Sequence, residues 1–104
     1  MNIEELNPNQ VIEAVNDGAL FVDVREAYEV DEVAYDLPNM KHIPLGQIQE
    51  RIEEFPKDQL VIVGCRSGKR SMNACLFLAM NGYDKVRNLS GGIMGWVENG
   101  APVK

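Results

Sequence analysis

The feature that most constrains the fold is a short, uninterrupted apolar run near the middle of the chain. Leu60 to Val63 (LVIV) contains only large aliphatic residues and lacks the polar alternation of a half-exposed strand. Such a run is typical of a strand buried on both faces of a parallel sheet. Gly64 and Cys65 follow at once, and from Ser71 the segment SMNACLFLAMNG spaces its apolar residues like one face of a helix. The pattern predicts a strand, a tight loop and a helix, with Cys65 at the carboxyl end of the strand, where open α/β sheets bind ligands.

Strand and helix patterns alternate along the rest of the chain. Asn7, Pro8 and Gln10 form a helix start, with Asn7 as the N-cap and Gln10 three residues later. The other predicted elements are an edge strand in Met1–Glu5, a strand Ala19–Val24, a short helix Arg25–Glu29, an amphipathic helix Gly46–Phe55, a strand Lys85–Leu89 and a helix Ile93–Glu98. This alternation predicts an α/β fold with a mainly parallel sheet covered by helices on both faces.

The composition indicates one acidic globular domain that spans residues 1–104. The 104 residues are 45% hydrophobic and carry a net charge of −6, which argues against a nucleic-acid or anionic membrane surface. The first ten residues lack the basic start and apolar core of a secretory signal. The longest apolar run, Ala74–Met80, is too short to cross a bilayer, so we expect a cytoplasmic protein.

The two cysteines match neither a metal site nor a redox pair. Cys65 and Cys75 lie ten positions apart, and the chain contains one histidine, so we expect no metal and no zinc site. Cys75 lies within the apolar pattern of the helix and is expected to be an inert core residue.

The loop CRSGKR has the composition of an anion-binding loop. Gly68 can adopt a positive φ, and successive N–H groups that curl toward a helix start form an anion-binding nest. Arg66, Lys69 and Arg70 add three cations to a chain of opposite overall charge. Both effects favour a thiolate at Cys65, and the thiolate is the nucleophilic form. The alternative interpretation is a buried cysteine in a basic surface turn.

The segment CRSGKRS resembles the active-site loop of the rhodanese family of sulfurtransferases. Protein tyrosine phosphatases and arsenate reductases instead place five residues between their cysteine and an arginine, whereas four residues separate Cys65 from Arg70 here and Ser71 occupies the next position. The segments FVDVREAYEV and NLSGGIMGWVENGAPV are similar to the opening and closing signatures of rhodanese domains. The segment Tyr35–Met40 departs from the family pattern before His42-Ile43-Pro44-Leu45, which leaves the pocket rim and the acceptor preference open.

This resemblance implies a three-layer fold around a sheet of about five strands, and a reaction through a cysteine persulfide. Cys65 would be the nucleophile, and the loop residues would bind the donor: Arg66, Ser67, Gly68, Lys69, Arg70 and Ser71. The implied partners are a small anionic sulfur donor, with thiosulfate favoured over mercaptopyruvate by the basic loop, and a thiol, cyanide or protein acceptor. No cofactor is implied, and the oligomeric state stays open. The alternatives are a persulfide relay or docking module for a partner protein, and a cysteine phosphatase or arsenate reductase.

Three further features receive a structural interpretation. Asp23, Arg25, Glu26 and Glu29 are expected to form ordinary surface or hinge ion pairs, the alternative being that they orient the loop or substrate. His42 is expected to have no chemical role, since a preformed thiolate needs no base. Trp96 is expected in the core.

Overall fold

Five parallel strands and four α-helices alternate along the chain in the computed structural model, which describes residues 2–104. The strands are β1 Glu4–Leu6, β2 Leu20–Asp23, β3 Met40–His42, β4 Val61–Gly64 and β5 Val86–Leu89. The helices are α1 Pro8–Asn16, α2 Ala27–Glu32, α3 Lys69–Met80 and α4 Gly92–Glu98, with two short 3₁₀ turns at Leu45–Gln47 and Ile52–Glu54. The predicted α/β class with a parallel sheet of about five strands is confirmed.

The strand order β1-β5-β4-β2-β3 places β4 at the centre of the sheet. In the register, Gly64 of β4 pairs with Asp23 of β2, and Val63 pairs with Asn88 of β5. The residue that follows β4 therefore leaves the middle of the carboxyl edge, flanked by the ends of two other strands. That position is where parallel sheets expose unpaired backbone groups and bind ligands.

Two apolar cores lie on opposite faces of this sheet because successive strand residues point to opposite sides. On one face, α3 and the 3₁₀ region pack on the sheet, and the buried residues include Val61, Val63, Ala74, Cys75 and Leu78. On the other face, α1 and α4 pack on the sheet, and the buried residues include Val11, Phe21, Ile62, Ile93 and Trp96. Trp96 is fully buried, as expected, and its indole N–H donates to the carbonyl of Pro102 at 2.7 Å.

The start of α1 follows the predicted chemistry. The Asn7 side chain accepts from the N–H of Gln10, and the Gln10 side chain accepts from the N–H of Asn7, each at 2.9 Å. This capping box satisfies two N–H groups that the first turn leaves free. The helix ends at Asn16, next to the predicted stop at Asp17-Gly18.

The predicted helix Gly46–Phe55 is wrong. This stretch consists of two 3₁₀ turns, although Ile48 and Phe55 point inward as the pattern requires and are each 2% exposed. A helix of ten residues is marginal without tertiary support, and Gly46 adds a cost of about 1 kcal/mol relative to alanine. Tight turns bury the same two side chains without a continuous helix.

The strand β3 was not predicted from the sequence. Its residues, Met40 to His42, pair in parallel with Phe21 to Asp23 at the edge of the sheet, and none of the three is fully buried. A short edge strand has no continuous apolar run, and its conformation depends on pairing with β2.

In residues 2–104, no helix combines the length and the apolar composition that a bilayer crossing requires.

Candidate active site

Cys65 lies at the bottom of the loop that joins β4 to α3. Its side chain is 1% exposed, and it belongs to the core on the α3 face. The loop residues around it are much more open: Arg66, Ser67 and Lys69 are exposed. The side chain of Cys65 is thus enclosed by the loop that follows it.

Hydrogen-bond donors of the loop converge on the sulfur of Cys65. The N–H of Gly68 donates to Sγ at 3.1 Å, and the hydroxyl of Ser71 donates at 3.3 Å. Burial of the sulfur opposes its charged form, but hydrogen bonds from the Ser71 hydroxyl and from the N–H groups of Ser71, Gly68 and Ser67 outweigh this effect. The pKa of the Cys65 thiol is therefore lowered. Of the six loop residues predicted to surround Cys65, Ser67, Gly68 and Ser71 contact its sulfur, whereas Arg66, Lys69 and Arg70 do not.

Gly68 occupies a backbone conformation that favours glycine. It is the N-cap of α3 with φ 104° and ψ −5°, in the left-handed region. This conformation turns the chain from the loop into the helix and directs the Gly68 N–H back toward Cys65.

The carbonyl groups of the loop are held outward by donors from other elements. The hydroxyl of Tyr35 donates to the Cys65 carbonyl at 2.6 Å, and so does the N–H of Ile93 at 2.9 Å. The N–H of Met94 donates to the carbonyl of Arg66 at 3.2 Å. In a trans peptide the C=O and N–H groups point in opposite directions, so anchoring the Arg66 carbonyl outward directs the N–H of Ser67 toward the sulfur.

Asn88 of β5 supports the same loop from below. Its Nδ2 group donates to the carbonyl of Gly68 at 3.1 Å and to the carboxylate of Glu5 at 2.9 Å, while its Oδ1 atom is buried without a partner. Both contacts of Nδ2 are with acceptors, which determines the orientation of the amide. A buried oxygen without a hydrogen-bond partner lowers stability by about 1–3 kcal/mol. Here this cost accompanies the orientation of Asn88 that lets its Nδ2 group anchor the loop.

The first residue of α4, Gly92, touches the loop directly. A side-chain carbon built on Gly92 would overlap the backbone of Arg66 and Ser67, and Gly92 has φ 56°. The glycine pair of the closing signature thus allows α4 to approach the loop closely enough to bind its carbonyls.

The three cations of the loop differ in their contacts. Arg70 forms two hydrogen bonds with the carboxylate of Glu29, at 2.7 and 2.8 Å. Hydrogen bonding to Arg70 is the main reason that the pKa of Glu29 is lowered from 4.5 to about 2, and the same contact raises the pKa of Arg70. No ion pair within residues 2–104 involves Arg66 or Lys69. Arg70 therefore joins the loop to α2, and Arg66 and Lys69 are the loop cations exposed to solvent.

The expectation of ordinary surface pairs after β2 is wrong for the first pair. Asp23 and Arg25 form a buried ion pair at 2.8 Å, with side chains 1% and 2% exposed. Arg25 also donates to the carbonyls of Glu29 and Val33, which joins the end of β2 to α2. The pair and Glu29 together position α2 beside the loop, so the alternative that these residues orient the loop is the better description.

His42 is hydrogen-bonded to the backbone, and Cys75 is buried in the core. The Nε2 group of His42 lies 2.6 Å from the carbonyl of Arg25, and since a carbonyl only accepts, Nε2 is the donor. Cys75 is fully buried, and burial raises the pKa of its thiol to about 12. Within residues 2–104, no group of three or more His, Cys, Asp and Glu side chains could hold a metal ion.

A cleft of about 440 Å³ opens beside the loop, between α2 and α4. Arg66, the neighbour of Cys65 in the chain, lines it together with Tyr28 and Glu32 of α2 and Met94 and Val97 of α4. The cleft therefore adjoins the loop at Arg66, one residue after Cys65.

Sequence reasoning did not identify several residues that support the site. These are Tyr35, Asn88, Gly92 and Glu5, together with the contact between Glu29 and Arg70. Gly92 belongs to the closing signature, whose glycine pair is the sequence feature that indicates a close approach of the backbone at this position. The others act through contacts between residues distant in the sequence, which no local pattern reveals.

Comparisons with known proteins agree with this geometry. A family model described as a rhodanese-like domain matches residues 7–99. A sulfurtransferase of Allochromatium vinosum is 39% identical over 86% of this chain and 82% of its own length. The thiosulfate sulfurtransferase GlpE of Haemophilus influenzae is 32% identical over 99% of this chain and 96% of its own. The crystal structure of a rhodanese-related protein from Thermoplasma volcanium superposes with a TM-score of 0.86 at 29% identity, over 97% of both chains.

Proposed function

The chain belongs to the family of rhodanese-like domains, and from this premise we propose that it is a thiosulfate sulfurtransferase that carries sulfur as a persulfide on Cys65. The observation that carries the proposal is the enclosed sulfur of Cys65, which accepts hydrogen bonds from Gly68 and Ser71 and has a lowered pKa. These donors stabilise a negative charge on sulfur, and the thiolate is the reactive form of cysteine.

The first half-reaction transfers the outer sulfur of thiosulfate to the enzyme. The Cys65 thiolate attacks that sulfur, an S–S bond forms, and the bond to the sulfonate group breaks. Sulfite leaves with the electron pair, and the outer sulfur of the new persulfide carries the negative charge. N–H groups of the loop stabilise this anion, as donors do in an oxyanion hole.

The second half-reaction returns the enzyme to its starting state. A thiolate or cyanide attacks the outer sulfur and releases the Cys65 thiolate, so that charge and atoms balance without a cofactor. A covalent intermediate suits a single reactive cysteine because it holds the sulfur between two separate binding events.

Two observations support a sulfur donor over a phosphate ester. Cys65 is 1% exposed, and a single terminal sulfur atom is narrower than a tetrahedral phosphoryl group. Arg70 binds Glu29, whereas a phosphatase needs its loop arginine free to hold the substrate anion.

Arg66 and Lys69 are the exposed cations that would attract thiosulfate, and a dianion gains more from them than the monoanion mercaptopyruvate does. GlpE, the relative from Haemophilus influenzae, carries thiosulfate in its name.

Intact mass spectrometry after incubation with thiosulfate tests the proposal. We expect wild type and Cys75→Ser to gain the mass of one sulfur atom, and cyanide to remove it as thiocyanate, while Cys65→Ser gains nothing. A gain in Cys65→Ser would contradict the role of Cys65, and faster loading from mercaptopyruvate would contradict the choice of donor. Loading only from a persulfidated protein would favour the relay function.

A further inference from the structure

Exposed apolar side chains concentrate around one cleft of this protein. Five large apolar residues are strongly exposed within residues 2–104, and three of them line the cleft beside Arg66: Tyr28, Met94 and Val97, at 66%, 50% and 50%. An apolar patch bordered by polar residues marks an interaction surface more often than a chance exposure.

Each of the two helices that form the walls contacts the loop and ends on an acidic residue. The N–H groups of Ile93 and Met94, in the first turn of α4, bind the carbonyls of Cys65 and Arg66, and α4 ends at Glu98, about 6–7.5 Å further along its axis. On α2, Glu29 binds Arg70 of the loop, and Glu32 lies about one turn beyond it. The cleft thus has Arg66 at its inner end, apolar walls, and an acidic residue at the outer end of each wall.

The charges of the outer end are available to a partner. Arg25 is neutralised by Asp23 and Glu29 by Arg70, while no ion pair within residues 2–104 uses Glu32 or Glu98. A thiosulfate dianion gains nothing from apolar walls and is repelled by two carboxylates. Beyond Arg66, the cleft is therefore unsuited to the donor and is suited to the second substrate of the reaction.

We propose that the cleft is the docking surface for a protein acceptor that presents a cysteine next to an apolar residue, with a lysine or arginine a few residues further along. The cysteine lies at the inner end by the loop, the apolar residue contacts Tyr28, Met94 and Val97, and the basic residue faces Glu32 and Glu98. This inference rests on the proposed function, since it names the acceptor of the same persulfide. The acceptor thiolate attacks the outer sulfur, forms its own persulfide and releases the Cys65 thiolate.

Synthetic peptides provide the probe. Three capped peptides share one cysteine: the first has a neighbouring leucine and a distal lysine, the second replaces the lysine by glutamate, and the third replaces the leucine by glycine. With the thiosulfate-loaded enzyme, we expect the first peptide to react with a kcat/KM at least about fivefold above each of the others. One or two exposed ion pairs support a preference of this size for the lysine.

Reversing the charges of the enzyme distinguishes the contribution of the cleft surface from the intrinsic reactivity of the peptide thiols. Glu32→Lys combined with Glu98→Lys should invert the preference for lysine over glutamate, and Met94→Ser combined with Val97→Ser should abolish the preference for leucine over glycine. The readout is the ratio of two peptides within one variant, so a change in overall activity cancels. The matched control is Glu50→Lys with Glu53→Lys, which alters the net charge equally at exposed positions on the other face of the sheet and should leave both ratios unchanged.

The outcomes distinguish this inference from the proposed function. If wild type forms no thiocyanate from thiosulfate and cyanide, the proposed function fails, and the docking surface fails with it. Thiocyanate formation with equal rates for the three peptides overturns the docking surface alone. So does a lysine preference that survives the charge reversal, because it would then belong to the peptide thiol.

Discussion

At the level of single residues, the proposed reaction depends on a buried sulfur that can carry a negative charge. Removing a thiolate from water is unfavourable, and the loop offsets this cost with donors that touch the sulfur, above all the Ser71 hydroxyl. The charged loop side chains contribute less directly, because Arg70 is engaged by Glu29. The sequence predicted that backbone N–H groups and cations together stabilise the thiolate, whereas the hydrogen bonds to the sulfur come from the backbone and the Ser71 hydroxyl.

Ser71→Ala should raise the pKa of the Cys65 thiol, since it removes the donor that lowers this pKa most. A hydrogen bond to a charged group contributes about 1.5–3 kcal/mol, so we expect alkylation of Cys65 near neutral pH to slow by about tenfold or more. The measurement is the pH dependence of iodoacetamide labelling, located by mass spectrometry. Ser67→Ala is the matched control because Ser67 contacts the sulfur only through its backbone N–H. Equal effects of the two substitutions would refute the role of the Ser71 hydroxyl.

At the level of elements, the loop is shaped by what surrounds it. The first turn of α4 binds two loop carbonyls, β5 binds a third through Asn88, and α2 holds Arg70 through Glu29. Each of these contacts requires close approach of two elements, and Gly92 is where α4 comes closest to the loop.

Gly92→Ala should displace the loop, because the added carbon overlaps the backbone of Arg66 and Ser67. Gly100→Ala is the matched control: Gly100 also has a positive φ, 74°, but nothing lies within 4 Å of the added carbon. We expect Gly100→Ala to lower the free energy of unfolding by about 1 kcal/mol and Gly92→Ala by about 2–4 kcal/mol. Urea unfolding measures both, and only Gly92→Ala should also slow persulfide formation. Similar values for the two variants would argue against the close contact.

At the level of the whole molecule, the site joins residues that are far apart in the sequence. Glu29 and Arg70 are 41 positions apart, Tyr35 and Cys65 are 30, and Glu5 and Asn88 are 83. These contacts form only when the complete sheet is assembled, so the geometry of the loop and the stability of the domain depend on the same interactions.

The stability of the domain should depend on pH through Glu29. The folded state lowers its pKa from 4.5 to about 2, so its contribution is fully present above the unfolded value and is lost as the pH falls through the folded value. Because the side chain of Arg70 is 34% exposed, solvent screening reduces the effect, and Glu29→Gln should lower the free energy of unfolding by about 1–2 kcal/mol at neutral pH. Urea unfolding should show a smaller difference near pH 3 than near pH 7.

Glu32→Gln is the control for this prediction. Glu32 also lies on α2 but takes part in no ion pair within residues 2–104, so we expect a change below about 0.5 kcal/mol. A loss equal to that of Glu29→Gln, or a Glu29→Gln effect that is the same at both pH values, would contradict the prediction.

Local sequence patterns were sufficient to predict the parallel α/β class, the position of Cys65 after the central strand, the capping box of α1 and the burial of Cys75 and Trp96. These properties follow from local apolar periodicity and from short-range hydrogen bonding, which neighbouring residues encode. The helix predicted for Gly46–Phe55 was wrong because its apolar spacing is equally met by 3₁₀ turns.

Other features became visible only in the folded chain: the edge strand β3, the buried pair of Asp23 and Arg25, the pairing of Arg70 with Glu29 and the support of the loop by Tyr35, Asn88 and Gly92. Each of these features is a contact between segments that the chain brings together only on folding. A local pattern specifies which residues are buried or turn the chain, but the partner of a polar group depends on which strand and helix lie beside it.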